Sequence, residues 1–130
     1  MFTRRLYEMS NYWGYHLAVD ASGPDLKAIS DGQNITEFAK ELVKRIGMVA
    51  FGEPQVVRFG TGNKAGYTLV QLIETSNICC HFVEDDGAGR TAFYLDVFSC
   101  REFKNNDVIK CCEDYFGSTG NRIHYFVRQA

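Results

Sequence analysis

The feature that most constrains the fold is an alternation of residue types between residues 91 and 100. Phe93, Leu95 and Val97 are apolar, whereas the residues between and after them form a mixed set: Tyr94, Asp96, Phe98 and Cys100. Because successive side chains of a β-strand point to opposite faces, the first set predicts a buried face beneath a helix. The mixed set then faces away from that core, where it can line a site or an interface.

The clearest helix is predicted from an apolar stripe with a period of 3.6 residues. The stripe contains Ile35, Phe38, Ala39, Leu42, Val43 and Ile46. Asn34 suits the N-cap, with Glu37 completing a capping box, and Gly47 suits a left-handed residue after the last turn. A second helix is predicted over residues 107–116, with its cap at Asn106 or Asp107 and its end at Gly117.

The remaining segments predict strands and loops. Patterns of β-branched and aromatic residues between turn signals predict strands at 13–20, 55–59, 67–74, 77–84, 91–99 and 122–128. Residues 25–33 are predicted to be a surface loop. The glycine-rich run at 60–66 is predicted to be a hairpin loop, because it leads into a strand and offers no helix N-terminus to a phosphate. These elements predict one α+β domain over residues 1–130, a two-layer αβ sandwich whose antiparallel sheet is covered on one face by two helices.

Composition excludes several classes of protein. The formal net charge is -2, and the only adjacent basic pairs are Arg4-Arg5 and Lys44-Arg45, so no nucleic-acid partner is expected. The first eight residues lack an apolar signal segment, and no run of about 18 apolar residues occurs, so we expect a cytoplasmic protein without a membrane partner. The five cysteines include the adjacent pairs 79-80 and 111-112 and form no C-x-x-C, which favours a reducing compartment and no metal site.

Three chemical groups lie on the central strands. Ser76 stands between two predicted strands, His81 follows in the second, and Cys100 ends the next. A serine at a turn can attack the preceding carbonyl, and elimination from the resulting ester leaves a dehydroalanine that hydrolyses to a pyruvoyl group. Such a ketone forms a Schiff base with a substrate amine and accepts electrons during decarboxylation. An imidazole can assist as acid or base, and a thiol can return a proton. From residue types alone, the simpler interpretation is an ordinary sheet histidine and a buried cysteine.

A family resemblance favours the catalytic interpretation. The spacing of Ser76 and His81, followed by the run Tyr94-Leu95-Asp96-Val97-Phe98-Ser99-Cys100, resembles the prokaryotic S-adenosylmethionine decarboxylases, which depend on a pyruvoyl group. Gly14-Tyr15-His16-Leu17 resembles the opening strand of that family. The resemblance covers approximately residues 13–115.

The resemblance implies roles for individual residues. Self-cleavage between Thr75 and Ser76 would give a β chain of residues 1–75 and an α chain of residues 76–130 that begins with the pyruvoyl group. His81 and Thr68 would assist processing, and Cys100 would donate a proton during decarboxylation. Asp20 and Glu74 are the expected substrate contacts. The resemblance also implies a homodimer in which two sheets meet as a four-layer αββα sandwich.

The chain also departs from the family's pattern. Thr75 and Asn77 flank the serine where the family has glutamate and histidine, and Arg101 stands where it has glycine. The expected substrate is S-adenosylmethionine, whose decarboxylation yields the aminopropyl donor for spermidine synthesis. Alternatives are the same mechanism on arginine or ornithine, and an unprocessed, non-catalytic homologue that acts as a binding or regulatory subunit. A redox protein using Cys79 and Cys80 is disfavoured because adjacent strand residues face opposite ways.

Overall fold

The structure, a computed structural model, describes residues 12–130. The start of the chain and Arg4-Arg5, used above for the expected location and partners, lie outside the described residues. Six antiparallel strands form one sheet in the order β2-β3-β4-β5-β1-β6. The strands are β1 Gly14–Ser22, β2 Gln55–Phe59, β3 Gly66–Ile73, β4 Ser76–Val83, β5 Ala92–Ser99 and β6 Gly120–Arg128. The helices are α1 Leu26–Ile29, α2 Gly32–Arg45 and α3 Asn105–Phe116, with a 3-10 turn at Gly62–Lys64.

The predicted alternation in β5 is confirmed. Phe93, Leu95 and Val97 are buried, whereas 46% of Tyr94 is exposed on the opposite face. The neighbouring strands continue the pattern, with Leu17 and Val19 of β1 fully buried. The predicted two-layer α+β architecture is therefore confirmed, with a covered face and an open face of the sheet. Over residues 12–130, none of the helices combines the length and apolar character needed to cross a membrane.

The covered face packs against α2 and α3. The stripe predicted on α2 is buried, and α3 adds Val108, Cys111, Cys112 and Phe116 to the core. Phe116 is central because its ring lies 4.7 Å from Phe38, 5.0 Å from Phe82 and 5.4 Å from Phe93, measured between ring centroids. These contacts join both helices to β4 and β5. They hold the middle of the sheet in place.

The predicted start of α2 is wrong. Asp31, not Asn34, is the N-cap, and its Oδ1 accepts hydrogen bonds from the backbone N–H groups of Gln33 at 3.0 Å and Asn34 at 3.2 Å. The apolar stripe begins only at Ile35, because residues 32–34 of the first turn are polar or glycine and none of them is buried. Periodicity therefore locates the buried face of the helix and not its first residue. The end at Gly47 is confirmed by its φ of +71°.

Two further boundaries were wrong. The segment 25–33, predicted to be a loop, contains α1, which is capped by Asp25 and buries Ile29. A single buried residue in a polar segment gives no periodic pattern from which a helix could be predicted. The helix α3 begins at Asn105, and its N-cap, Lys104, makes no side-chain capping bond, so the cap predicted at Asn106 or Asp107 is not used. Gly117 ends the helix as predicted, with a φ of +58°. The predicted strand bounds agree with the observed ones to within two residues.

Replacement of Phe116 by alanine is expected to lower the free energy of unfolding by about 3–5 kcal/mol, because it removes a ring packed against three others and leaves a cavity. Urea denaturation followed by circular dichroism measures the change. Leu26→Ala is the control, since 51% of Leu26 is exposed and its loss should change stability by about 0.5 kcal/mol or less. Equal effects of the two substitutions would contradict the central role of Phe116.

Candidate active site

The turn between β3 and β4 contains the predicted cleavage point. The strand β3 ends at Ile73, which pairs with Ser76 at the start of β4, so the connecting turn consists of Glu74 and Thr75. Thr75 has a φ of +58° and is, within residues 12–130, the only residue other than glycine in this left-handed region. A β-branched side chain is strained there by roughly 1–3 kcal/mol. Backbone strain therefore lies directly before Ser76.

Cys100 contacts both residues of the predicted cleavage point. Its backbone N–H donates a hydrogen bond of 3.0 Å to Oγ of Ser76, a residue that is only 8% exposed. The Oγ1 of Thr75 lies 2.7 Å from the Cys100 sulfur and 2.6 Å from the carbonyl oxygen of Glu74. The antiparallel pairing of β4 with β5 brings about this meeting, since Asn77 lies opposite Phe98. Three predicted site residues thus meet at one end of the sheet.

The surroundings of Cys100 favour its thiolate. The hydrogen bond from Thr75 lowers the pKa of the Cys100 thiol below its ordinary value, and the hydroxyl of Ser76 and the charge of Arg101 act in the same direction, against partial desolvation. Cys79 differs, because desolvation and then the negative charge of Asp96 raise its thiol pKa. Burial also raises the pKa of the core cysteines Cys80, Cys111 and Cys112. Cys100 has the thiol best suited to chemistry near neutral pH.

Thr68 and His81 form a separate pair on the open face. They lie directly opposite each other in the pairing of β3 with β4, and Oγ1 of Thr68 is 3.2 Å from Nδ1 of His81. The other ring nitrogen of His81 is 3.9 Å from the sulfur of Cys79. A threonine hydroxyl can donate to or accept from an imidazole, so the pair can hold the ring in a defined tautomer.

This pair does not meet Ser76 within one chain. His81 lies five positions after Ser76 along β4, which corresponds to about 16 Å at the rise of a β-strand, and the odd spacing points the two side chains to opposite faces. The structure therefore divides the predicted residues into two groups. Thr75, Ser76 and Cys100 lie at one end of the sheet, and Thr68 and His81 lie toward the other end.

The two predicted substrate contacts are also apart. Asp20 pairs with Tyr94, which in turn lies opposite His81, so Asp20 belongs to the His81 end of the open face. It lines a cleft of about 1040 Å³ that also includes Arg90 and Arg122. Glu74 instead lies exposed in the turn beside Thr75.

A polar network on the open face was not predicted from the sequence. Nε2 of His16 lies 3.0 Å from a carboxylate oxygen of Asp96, and Arg128 donates to Nδ1 of His16 at 3.2 Å. Because Nδ1 accepts from the arginine, the ring hydrogen lies on Nε2 and faces Asp96. The ring of His16 stacks on Phe126 with centroids 4.7 Å apart. The alternation placed Asp96 on this face, but its partners come from strands distant in sequence.

A second cleft lies beside this network. It has a volume of about 530 Å³ and is lined by Trp13, Phe98, Arg128 and the last two residues of the chain. The rings of Trp13 and Phe98 are stacked with centroids 6.0 Å apart, and the guanidinium of Arg128 lies 5.3 Å from the centre of the Phe98 ring. Within residues 12–130, no cluster of three or more histidine, cysteine or acidic side chains is arranged to bind a metal ion.

Comparisons with known proteins agree with this architecture. The family model described as S-adenosylmethionine decarboxylase matches residues 15–129. Among the 22 matching chains of solved structures is the adenosylmethionine decarboxylase from Aquifex aeolicus VF5, with a TM-score of 0.75 and 19% sequence identity. That match covers 92% of this chain and 93% of the other, and at this identity it supports the fold. A search of curated protein sequences gave no match.

Cys100 is expected to react with iodoacetamide at a lower pH than Cys79. The lowered pKa of Cys100 gives it a larger thiolate fraction at each pH below its titration range, whereas the raised pKa of Cys79 keeps that thiol protonated. Brief alkylation across a pH series, followed by peptide mass mapping, measures both sites in the same sample. The buried Cys80 serves as an internal control that remains unmodified while the fold is intact. Modification of Cys79 at the same pH as Cys100 would contradict the expected difference.

Proposed function

The chain belongs to the S-adenosylmethionine decarboxylase family, and we propose that it removes the carboxyl group of S-adenosylmethionine by means of a pyruvoyl group made from Ser76. The product would supply the aminopropyl group for spermidine synthesis. The observation that carries the proposal is the junction at the β3–β4 turn, where the strained Thr75 precedes Ser76 and Cys100 contacts both residues.

The residues at this junction fit self-cleavage. Attack of the Ser76 hydroxyl on the Thr75 carbonyl carbon replaces the amide bond by an ester and frees the nitrogen of Ser76 as an amine. Elimination then releases the Thr75 carboxylate and leaves dehydroalanine, and water displaces the nitrogen as ammonia to give the pyruvoyl group. The N–H of Cys100 holds the attacking oxygen, and loss of the 75–76 bond relieves the strained φ of Thr75.

The residues around the junction also fit decarboxylation. A pyruvoyl group at position 76 would supply an electrophilic carbonyl that accepts the electrons released with carbon dioxide. Cys100 lies against this position and would donate the proton that replaces the lost carboxyl group. Because the turn is exposed and Ser76 is largely buried, a substrate would approach from the side of Thr75 while the covered face remains packed.

We propose that a second copy of the chain completes the site. His81 and Thr68 would assist cleavage, yet they lie about 16 Å along β4 from Ser76 of their own chain. The open face exposes large apolar side chains, including Tyr94 and Phe126, each 46% exposed, and Leu72, 47% exposed. Two open faces packed about a two-fold axis would place the His81 end of one protomer against the turn of its partner. The assembly would be the four-layer αββα sandwich.

The same packing would give both acidic residues a role in binding. Asp20 of one protomer belongs to the His81 end and would approach the turn of the partner, where Glu74 is located. S-adenosylmethionine carries a positively charged sulfonium and an amino group, which carboxylates can stabilise. The proposed partners are therefore a small cationic substrate and a second copy of the chain, in the cytoplasm, with no nucleic acid or membrane.

Self-cleavage is expected to give two fragments in the purified protein. Intact mass under denaturing conditions should show residues 1–75 and residues 76–130, the second lighter by one ammonia than the serine-containing peptide. Ser76→Ala removes the attacking hydroxyl and should remain a single chain of 130 residues. The cleaved protein should then release carbon dioxide from S-adenosylmethionine, and assays with arginine and ornithine test the alternative substrates. A wild-type chain that stays intact on long incubation would overturn the proposal and favour a non-catalytic binding subunit.

A mixed dimer is expected to restore cleavage between two inactive variants. Ser76→Ala lacks the nucleophile, and His81→Ala lacks the imidazole, so each alone should remain uncleaved or nearly so. When the two are refolded together, the His81→Ala chain should be cut in mixed dimers, because its Ser76 faces the intact His81 of the partner. About half of these chains would be cleaved if the subunits pair at random. The diagnostic product is a C-terminal fragment carrying alanine at 81. Its absence, with mixed dimers demonstrated by native mass spectrometry, would place His81 outside the partner's site.

A further inference from the structure

The hydroxyl of Thr75 lies between the backbone carbonyl of Glu74 and the side chain of Cys100. Its Oγ1 lies 2.7 Å from the Cys100 sulfur and 2.6 Å from the Glu74 carbonyl oxygen. The side chain is exposed to solvent. Its described contacts are thus polar, and the most reactive thiol of the site is one of them.

The backbone makes a threonine at this position costly. With a φ of +58°, glycine or asparagine would fit the turn more easily, and a β-branched residue is strained. The threonine hydroxyl nevertheless makes a contact with the Cys100 sulfur that glycine cannot make. Asparagine carries an amide in place of the short hydroxyl that reaches the sulfur of Cys100.

With these two neighbours, the Thr75 hydroxyl can form a hydrogen bond with the Cys100 sulfur whether the thiol is protonated or ionised. When Cys100 is protonated, its S–H can donate to Oγ1 while the threonine hydrogen points to the Glu74 carbonyl. When Cys100 is a thiolate, the threonine hydrogen can turn toward the sulfur. The sulfur therefore keeps the same neighbour when its proton leaves or returns.

Two further contacts define the surroundings of the thiol. The backbone N–H of Cys100 is held by Oγ of Ser76, so the cysteine is fixed by its main chain as well as by its sulfur. Arg101 is the charged residue next to it in sequence, but one of its guanidinium nitrogens donates to the Gly47 carbonyl at 2.6 Å beyond the end of α2. The backbone carbonyl of Glu74 accepts from the Thr75 hydroxyl at 2.6 Å. Of the two hydroxyls that act on the sulfur, that of Thr75 has a larger influence than that of Ser76.

We propose that Thr75 is a positioning residue for Cys100: its hydroxyl holds the sulfur against residue 76 and sets the readiness of the thiol to give up its proton. This inference rests on the proposed function for its catalytic meaning, since a proton donor must be aimed at the atom it protonates. The contact itself is a property of the uncleaved chain. It is therefore measurable whether or not cleavage occurs.

The test uses Ser76→Ala as the background, so that all chains are uncleaved. Thr75→Val is added because valine keeps the shape and the β-branching of threonine and removes only the hydroxyl. Site-specific alkylation of Cys100 across pH is expected to shift to higher pH. The thiolate fraction near neutral pH should fall roughly three- to tenfold, which corresponds to the loss of one hydrogen bond of ordinary net strength.

Two matched variants separate the hydroxyl from other causes. Thr75→Ser retains an oxygen at the same distance from the backbone and should restore the original pH profile. Arg101→Gly removes the neighbouring charge and should shift the profile less than Thr75→Val, because the bond from Thr75 is the larger influence on the thiol. Circular dichroism confirms that each variant is folded. An unchanged profile in folded Thr75→Val, or an equal shift in Thr75→Ser, would overturn the assignment.

The same substitution in the chain with Ser76 intact tests the catalytic meaning. Thr75→Val should still be cleaved, since cleavage uses the carbonyl of Thr75 and not its hydroxyl. The rate of carbon dioxide release should fall in kcat with little change in KM, because the affected group acts after the substrate is bound. If the wild-type chain is not cleaved, the proposed function fails while the thiol profile still decides the role of Thr75. A shifted profile with kcat unchanged would overturn the catalytic role.

Discussion

The register of β4 between its two neighbours is the constraint on which the site depends. Ile73 pairs with Ser76 on one side, and Asn77 pairs with Phe98 on the other. These pairings bring the residue after β5, Cys100, to the turn that precedes β4. A slip of one residue would exchange the covered and open faces of the strand and separate Cys100 from Ser76. The apolar side chains of β4, Ile78, Cys80 and Phe82, oppose this slip because it would turn all three from the covered face to the open face.

The core also fixes the segment that carries Cys100. Ser99 is fully buried, and its hydroxyl donates to the carbonyl of Arg101 at 2.6 Å, which turns the chain sharply after β5. The N–H of Arg101 returns a bond of 3.0 Å to the same hydroxyl. The Arg101 side chain then reaches the Gly47 carbonyl, so the end of β5 is tied to the end of α2. Arg101, which stands where the family pattern has glycine, thus connects the segment that carries Cys100 to the end of α2.

Local patterns in the sequence predicted the fold well because they report which face of an element is buried. The alternation in β5 and the stripe on α2 both gave the correct core, and the glycines at 47 and 117 gave the correct helix ends. Helix starts were predicted poorly, since Asp31 and Asn34 have equal capping chemistry and only the exposed first turn distinguishes them. The pairing of His16 with Asp96 and Arg128 depends on strand order, which no short segment encodes.

The candidate site shows the same difference between local and distant information. The family resemblance predicted Ser76, His81 and Cys100 as site residues, but the spacing of the first two conflicts with a single site in one chain. Because His81 lies five positions after Ser76 on one strand, an odd spacing, the two side chains face opposite ways. The contact between Thr75 and Cys100 could not be predicted, because it requires both the register of β4 and an unusual backbone conformation.

The positive φ of Thr75 also links activation to correct folding. An unfolded chain adopts the relaxed conformations of threonine, so the 75–76 bond experiences no strain until β3 and β4 have paired. Under the proposed function, only a chain that has assembled its sheet would hold Thr75 in this conformation next to Ser76. The turn would then act as a check on folding, since a misfolded copy would keep its serine and carry no reactive ketone. Cleavage would make Thr75 a free chain end on which the strained conformation is no longer imposed.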